Sequence, residues 1–436
     1  MKAVSSRRSV RERFSIKRLT VPRVVAGLAL SSGLLGVASL ATSGGSAQAD
    51  PASTSAFVGV GSDTTQDLFA AYTGASPAPG LATNTQFYTP LNAGSANNWL
   101  TIASFDANPA GGTTVAPGCV TTKYGGNSYD RPNSSTAGIA ALEDSITGTD
   151  FENTSGSCTG APGENVTGQI DFARSARGPK TTTNSSLTFI PYARDALGFL
   201  YYSPGQVNPV SLTEQELSTL YSSASGSDVI GGVTVYACLT ISGSVPRSQL
   251  ESVLGVTDAQ AAAAAAAADG GLCPSITQNS GNAFYSAVSG LTSGFGAVIP
   301  ISSGEWESQF NNVALDRSNL ARSAGVDLAS ITNKGGTVLG QPYNVVSGVE
   351  KPNTNYYQDS AWGYNLFTVV PTAKINGAFG SSAPLEALFG EVGSAATPAI
   401  CETGPGSPQA TANLFGFDSL TSSEGTCGST ATTGNS

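Results

Sequence analysis

Serine, threonine and glycine gather where apolar runs of this chain give way to helix-forming stretches. Gly61-Ser62-Asp63-Thr64, Asn133-Ser134-Ser135-Thr136 and Ser242-Gly243-Ser244 are three such junctions. A helix start presents unpaired N–H groups and a partial positive charge, and hydroxyls add donors. Several starts brought to one place would cage an anion, whereas one alone only caps its own helix. Basic residues strengthen the pattern: Arg131, Arg174, Arg177, Lys180 and Arg194 crowd into residues 131–194. Arg174 and Arg177 flank Ser175, and Arg247 follows Ser244. Guanidinium groups pair bidentately with oxyanions. The competing reading of each arginine is an ion pair with one of the chain's own acids.

The composition excludes much else. The 436 residues contain no histidine. That rules out Ser-His-Asp and Cys-His catalysis and any imidazole metal ligand. The serines at residues 62, 242 and 244 lack a G-x-S-x-G elbow, and no Walker lysine or G-x-G-x-x-G sits at a strand–helix junction. Glu305 and Glu307 alternate along an expected helix, so they share no face for two-carboxylate chemistry. No C-x-x-C is available for zinc. The residues therefore point to binding rather than catalysis, without cofactor or metal.

The elements that must position these residues follow an α/β rhythm, with short β-branched runs alternating with amphipathic or Ala-rich stretches. Residues 57–60 read as a strand and 67–72 as a helix, entered through capping-box spacing from Asp63 to Gln66. A helix is expected after Ser134, around Ile139 to Leu142. Residues 170–179 read as a short strand ending in a turn, and 189–202 as a long strand with a break. Thr213 to Glu216 is a further capping box, and Pro246 suits the first turn of a helix. Alanine propensity makes residues 259–268 helical, Ser302 to Glu305 caps a helix carrying Trp306, and 361–371 read as a buried strand.

Eight basic residues before Val24, an uncharged stretch to Ala41 and Ala47-Gln48-Ala49 form an export signal, cleaved after Ala49. No cysteine beside that point supplies a lipid anchor. Without the leader, twelve basic and twenty-nine acidic residues leave a net charge of −17. Nucleic acid is a poor partner for such a chain. All six cysteines, Cys119, Cys158, Cys238, Cys273, Cys401 and Cys427, follow the leader and read as disulfides of an exported protein. Nearest-neighbour pairing is the expectation, with 119–158, 238–273 and 401–427; spacing leaves other connectivities open.

Taken in order, Gly61-Ser62-Asp63-Thr64, Ser134-Ser135-Thr136-Ala137-Gly138, Asp171-Phe172-Ala173-Arg174-Ser175, Pro191 with its apolar strand, and Ser242-Gly243-Ser244 resemble the phosphate-type substrate-binding proteins of ABC transporters. The stretch from Gly304-Glu305-Trp306 to Asp316-Arg317 resembles the exported actinobacterial members. The resemblance implies a two-lobed α/β fold of the class II periplasmic-binding-protein type, with a ligand cleft between the lobes. It places lobe one at 56–192 and 366–427, lobe two at 195–364, and a flexible tail at 428–436. Carried over, Ser62, Asp63, Thr64, Ser134, Ser135, Arg174, Ser175, Arg177, Ser242, Gly243, Ser244 and Arg247 would bind a small oxyanion, phosphate first, for delivery to an ABC permease. That family commonly has an Asp after the Ser of its third motif; here Ala176 follows Ser175. The alternative is a secreted or cell-surface interaction protein that keeps the fold without tight ligand binding.

Overall fold

The computed structural model describes residues 54, 56–74, 91, 101–107, 118–152, 163–182, 186–205, 210–375, 384–390 and 397–435. The expected leader, its cleavage site and Cys158 lie outside them. The described residues pack as one compact unit. Among the described residues no helix is long and apolar enough to cross a membrane.

The fold is mixed α/β. Its principal strands are β1 (Phe57–Gly61), β2 (Ile102–Ser104), β3 (Phe172–Ser175), β4 (Leu187–Tyr202), β5 (Ser227–Ile230), β6 (Val233–Ala237), β7 (Phe295–Ser302), β8 (Gly363–Pro371) and β9 (Thr433–Gly434). The helices that matter for the site are α1 (Gln66–Tyr72), α2 (Ser135–Thr147), α3 (Val245–Leu254), α4 (Gly281–Val288) and α5 (Ser303–Phe310). The expected boundaries hold for α1 and α5, and Thr213 forms its capping box with Glu216. The expected box at Asp63 does not form. Residues 63–65 make a 3-10 turn with no side-chain cap, because the Asp63 carboxylate is turned to Asn279 instead.

One ladder runs β5-β6-β7-β4-β8-β3-β1-β2. β1 lies parallel to both β2 and β3, so the connections carrying α1 and α2 put helix starts beyond the carboxyl ends of these strands. The long strand β4 joins two sets of partners. Its residues 187–196 pair with β8, and residues 197–202 pair with β7. The break expected in this strand is a bulge: Phe367 faces Pro191 and Leu366 faces Ala193, with Tyr192 unmatched. A bulge of this kind is one of the places where a strand accommodates a proline.

Buried side chains divide along the same strand. One pair of clusters, around Phe69, Phe172 and Phe389 and around Ile139, Leu142 and Phe189, is built mainly from residues before 194 and after 363. Another pair, around Leu217, Leu220 and Trp362 and around Phe284, Ile299 and Trp306, comes from residues 196–362. Disulfides Cys238–Cys273 and Cys401–Cys427 form as expected. Cys119 is disulfide-bonded as well.

The flexible tail expected at 428–436 is corrected. β9 pairs with residues 187–188 of β4, the Gly428 N–H donates to the Pro191 carbonyl at 2.9 Å, and Asn435 exchanges backbone bonds with Lys180 and Thr181. A free flank of β4 offers these groups partners that a composition-based reading does not see.

Arg174 holds the strand ends together. It is fully buried, and its Nε and amino groups donate to the carbonyls of Gly59, Gly61, Ser62 and Phe105 and to Ser104 Oγ, at 2.8–3.3 Å. A buried acceptor left without a partner costs about 1–3 kcal/mol. Arg174→Met is therefore expected to destabilise the protein by at least about 2 kcal/mol, from two or more such acceptors. Denaturant unfolding measures this, and a loss under about 1 kcal/mol would show that these bonds do not hold the frame.

Candidate functional site

α2 and α3 open onto a common space. Ser134 caps α2, its Oγ accepting the Ala137 N–H at 3.1 Å. Its φ of 122° lies where non-glycine residues are rarely found. Ser244 caps α3 without a side-chain cap bond; its Oγ lies 2.7 Å from Thr240 Oγ1. Gly243 before it has φ 79°, which a side chain would disfavour. Ser134 and Ser242, Gly243 and Ser244 all line one cavity of about 700 Å³. Two junctions more than a hundred residues apart in sequence thus meet, as the anion-cage reading requires.

Two glycines set the position of α2. Gly61 ends β1 with φ 113°, and its Cβ would fall 2.6 Å from the Arg174 carbonyl. A Cβ on Gly138 would fall 2.4 Å from the Gly61 Cα. With no side chain on either, the first turn of α2 lies directly on the end of β1, and Asn133 forms a bridge with Gly61.

The first junction lies behind the cavity wall. Ser62, Asp63 and Thr64 are buried, and none of them lines the cavity. Ser62 Oγ and Thr64 Oγ1 have no hydrogen-bond partner among the described residues. Gln278, whose side chain lowers the Asp63 pKa, itself lines the cavity. The Asn279 amide donates to Asp63 Oδ2 at 3.4 Å.

The basic cluster is mostly structural. Arg174 is fully engaged by the strand ends, so its expected ligand role is corrected. Arg247 is corrected too: it donates to Asp258 at 2.6 Å and to the Thr240 carbonyl at 3.1 Å. Arg131 donates to the Asp106 and Cys119 carbonyls, and Arg194 to the Tyr357 carbonyl and Asn365. Arg177 stays near the rim, donating to Thr136 Oγ1 at 3.2 Å, and Thr136 lines the cavity. Burial lowers the Arg177 pKa and nearby Glu143 opposes this. Ser135 Oγ accepts the Ala176 N–H at 3.0 Å, and Ser175 Oγ donates to the Arg177 carbonyl at 2.7 Å. The Ser135 hydroxyl thereby fastens the third motif to α2, the Ser175 hydroxyl closes a turn within that motif, and neither residue lines the cavity.

Sequence reasoning missed Gln278, Glu152 and the position of Lys180, the one residue of the basic cluster that lines the cavity. A signal for Gln278 existed. Ser280 caps α4 by accepting the Ala283 N–H, in the same kind of Ser/Gly opening as the other junctions.

A group of buried acids adjoins the first junction. Burial pushes Asp63, Asp67 and Glu305 above their ordinary values. For Glu305 the shift is large; the Asp67 charge adds to it, while Arg317 and a bond from Gln309 oppose it. A raised folded-state pKa means that the fold keeps a proton the unfolded chain gives up. Stability is therefore full below the unfolded value near 4.5 and falls as pH climbs from there toward the folded value. Glu305→Gln keeps the shape and removes the titration. Between about pH 5 and 8 the variant should lose less melting temperature than the wild-type protein. Parallel pH profiles of the two would show that Glu305 is ionised in the fold.

No family model and no curated protein matches the chain. Among solved structures it is similar to a high-affinity periplasmic phosphate-binding protein bound with phosphate, at 12% identity and a TM-score of 0.43, covering 84% of this chain and 91% of that one. It is similar to a phosphate-binding protein from Stenotrophomonas maltophilia at 13% identity and a TM-score of 0.41, covering 84% and 91%. A phosphate ABC transporter substrate-binding protein from Clostridium perfringens shows 11% identity and a TM-score of 0.40, with 84% and 100% covered.

Proposed function

We propose that this chain is an extracytoplasmic solute-binding protein for a small oxyanion, phosphate first, which it delivers to an ABC permease. The observation that carries the reading is the meeting of the α2 and α3 starts, with Lys180, on one cavity. Helix starts and hydroxyls supply donors aimed at an anion, and the lysine supplies the charge. The sequence motifs support placing the protein in the exported actinobacterial branch of the phosphate-type binding proteins.

In this reading residues 56–192 and 366–427 form one lobe and 195–364 the other. The division of the buried clusters at β4 supports it, and so does a cavity lined by Ser134 from one part and Ser242 from the other. Export follows from the leader at 1–49 and is supported by the disulfides.

Calorimetry of the mature protein with phosphate, sulfate, molybdate and small carboxylates tests this. Lys180 has no ion pair among the described residues, so Lys180→Ala should leave the ligand-free melting temperature unchanged. A charge-assisted hydrogen bond contributes about 1.5–3 kcal/mol, so the variant should bind roughly 10- to 150-fold more weakly. Equal binding would remove this cavity as the site. With no binding of any anion, the interaction-protein reading takes its place.

A further inference from the structure

The shape of the cavity carries the ligand class further, on the premise that the oxyanion reading above is correct. An inorganic tetrahedral oxyanion fills about two or three water volumes of roughly 30 Å³ each. The cavity holds about 700 Å³, within the range of pockets that take organic molecules of some size. Its wall also has a direction. Ser134, Ala137 and Ala140 all line it and lie three residues apart on α2, so they form one stripe down a single helix face. At 1.5 Å rise per residue the stripe runs about 9 Å from the helix start. An ion held at Ser134 and Ser242 does not reach Ala140.

The lining changes character along the way. The helix starts offer donors, whereas Ala137, Ala140, Phe151 and Ile241 present apolar surface that an inorganic ion has no use for. Acceptors are present too. Glu152 lines the cavity, and a carboxylate there repels a fully ionised inorganic anion but accepts from a hydroxyl. Gln278 is only 6% exposed. Its Oε1, on a residue of the wall, has no hydrogen-bond partner among the described residues. A buried acceptor in that condition calls for a donor from whatever fills the space.

We infer that the cavity takes a phosphate monoester of a polyhydroxylated alcohol or sugar. The phosphoryl group sits at the starts of α2 and α3, the carbon chain lies along Ala137 and Ala140 toward Phe151, and hydroxyls donate to Glu152 and Gln278.

Titration calorimetry with glycerol 3-phosphate, ribose 5-phosphate, inorganic phosphate, glycerol and ribose separates the outcomes. The inference expects at least one of the two esters to bind tenfold or more tighter than inorganic phosphate, and the free alcohols not to bind. Glu152 is exposed and has no ion pair among the described residues, so Glu152→Gln should fold normally. That variant should lower the ratio of ester to phosphate affinity. Inorganic phosphate binding as tightly as both esters would overturn the inference and leave the oxyanion reading standing. An unchanged ratio in Glu152→Gln would overturn the hydroxyl contact. Failure of phosphate and esters alike would overturn both readings.

Discussion

The Arg174 guanidinium is the bond on which the site's geometry rests. A charged group with no exposure persists in an interior only when its donors are met, and here carbonyls from the ends of β1 and beyond β2 meet them. The Gly59 carbonyl also accepts the Phe105 N–H, whereas those of Gly61, Ser62 and Phe105 lie at or beyond the strand ends. One rigid, forked donor collects them and fixes where Ser62 and Phe105 leave the sheet. The close approach of Gly138 to Gly61 then sets the start of α2 against that fixed point. Ser134 reaches the cavity because both constraints act on the same strand.

This explains which parts were legible in the sequence. Local chemistry was. The helix starts at Ser134 and Ser244, the Thr213 box and the proline opening of α3 depend on residues a few positions apart, and they appear where read. The long strand through Pro191 was visible as an apolar run, although its break is a bulge set by the partner strand. What an arginine faces is decided by residues distant in the chain. Arg174 and Lys180 are both basic residues of one short stretch, yet one binds carbonyls and the other lines the cavity. Gln278 is the same case, since its meaning comes from Asp63, more than two hundred residues earlier. The C-terminal residues look frayed by composition and are held by a sheet flank that only the fold creates.

Charge is the remaining constraint on an anion site in a chain whose exported part carries −17. Distant acids matter little, because salt attenuates exposed charges over about 8 Å. Near ones matter more, and the side chain of Gln278, a residue of the cavity wall, lowers the Asp63 pKa. The burial that deprives Asp63, Asp67 and Glu305 of water also drives each toward its neutral form, and crowding among them adds to the effect. Arg317 opposes this for all three and sets a positive charge beside them. The acids behind the first junction can thus act as packing and hydrogen-bonding groups without setting a strong repulsive field at the helix starts. What an entering anion meets is then the local inventory of the wall: two helix ends, hydroxyls and Lys180 on the attractive side, with Glu152 marking where a second anionic group is not wanted.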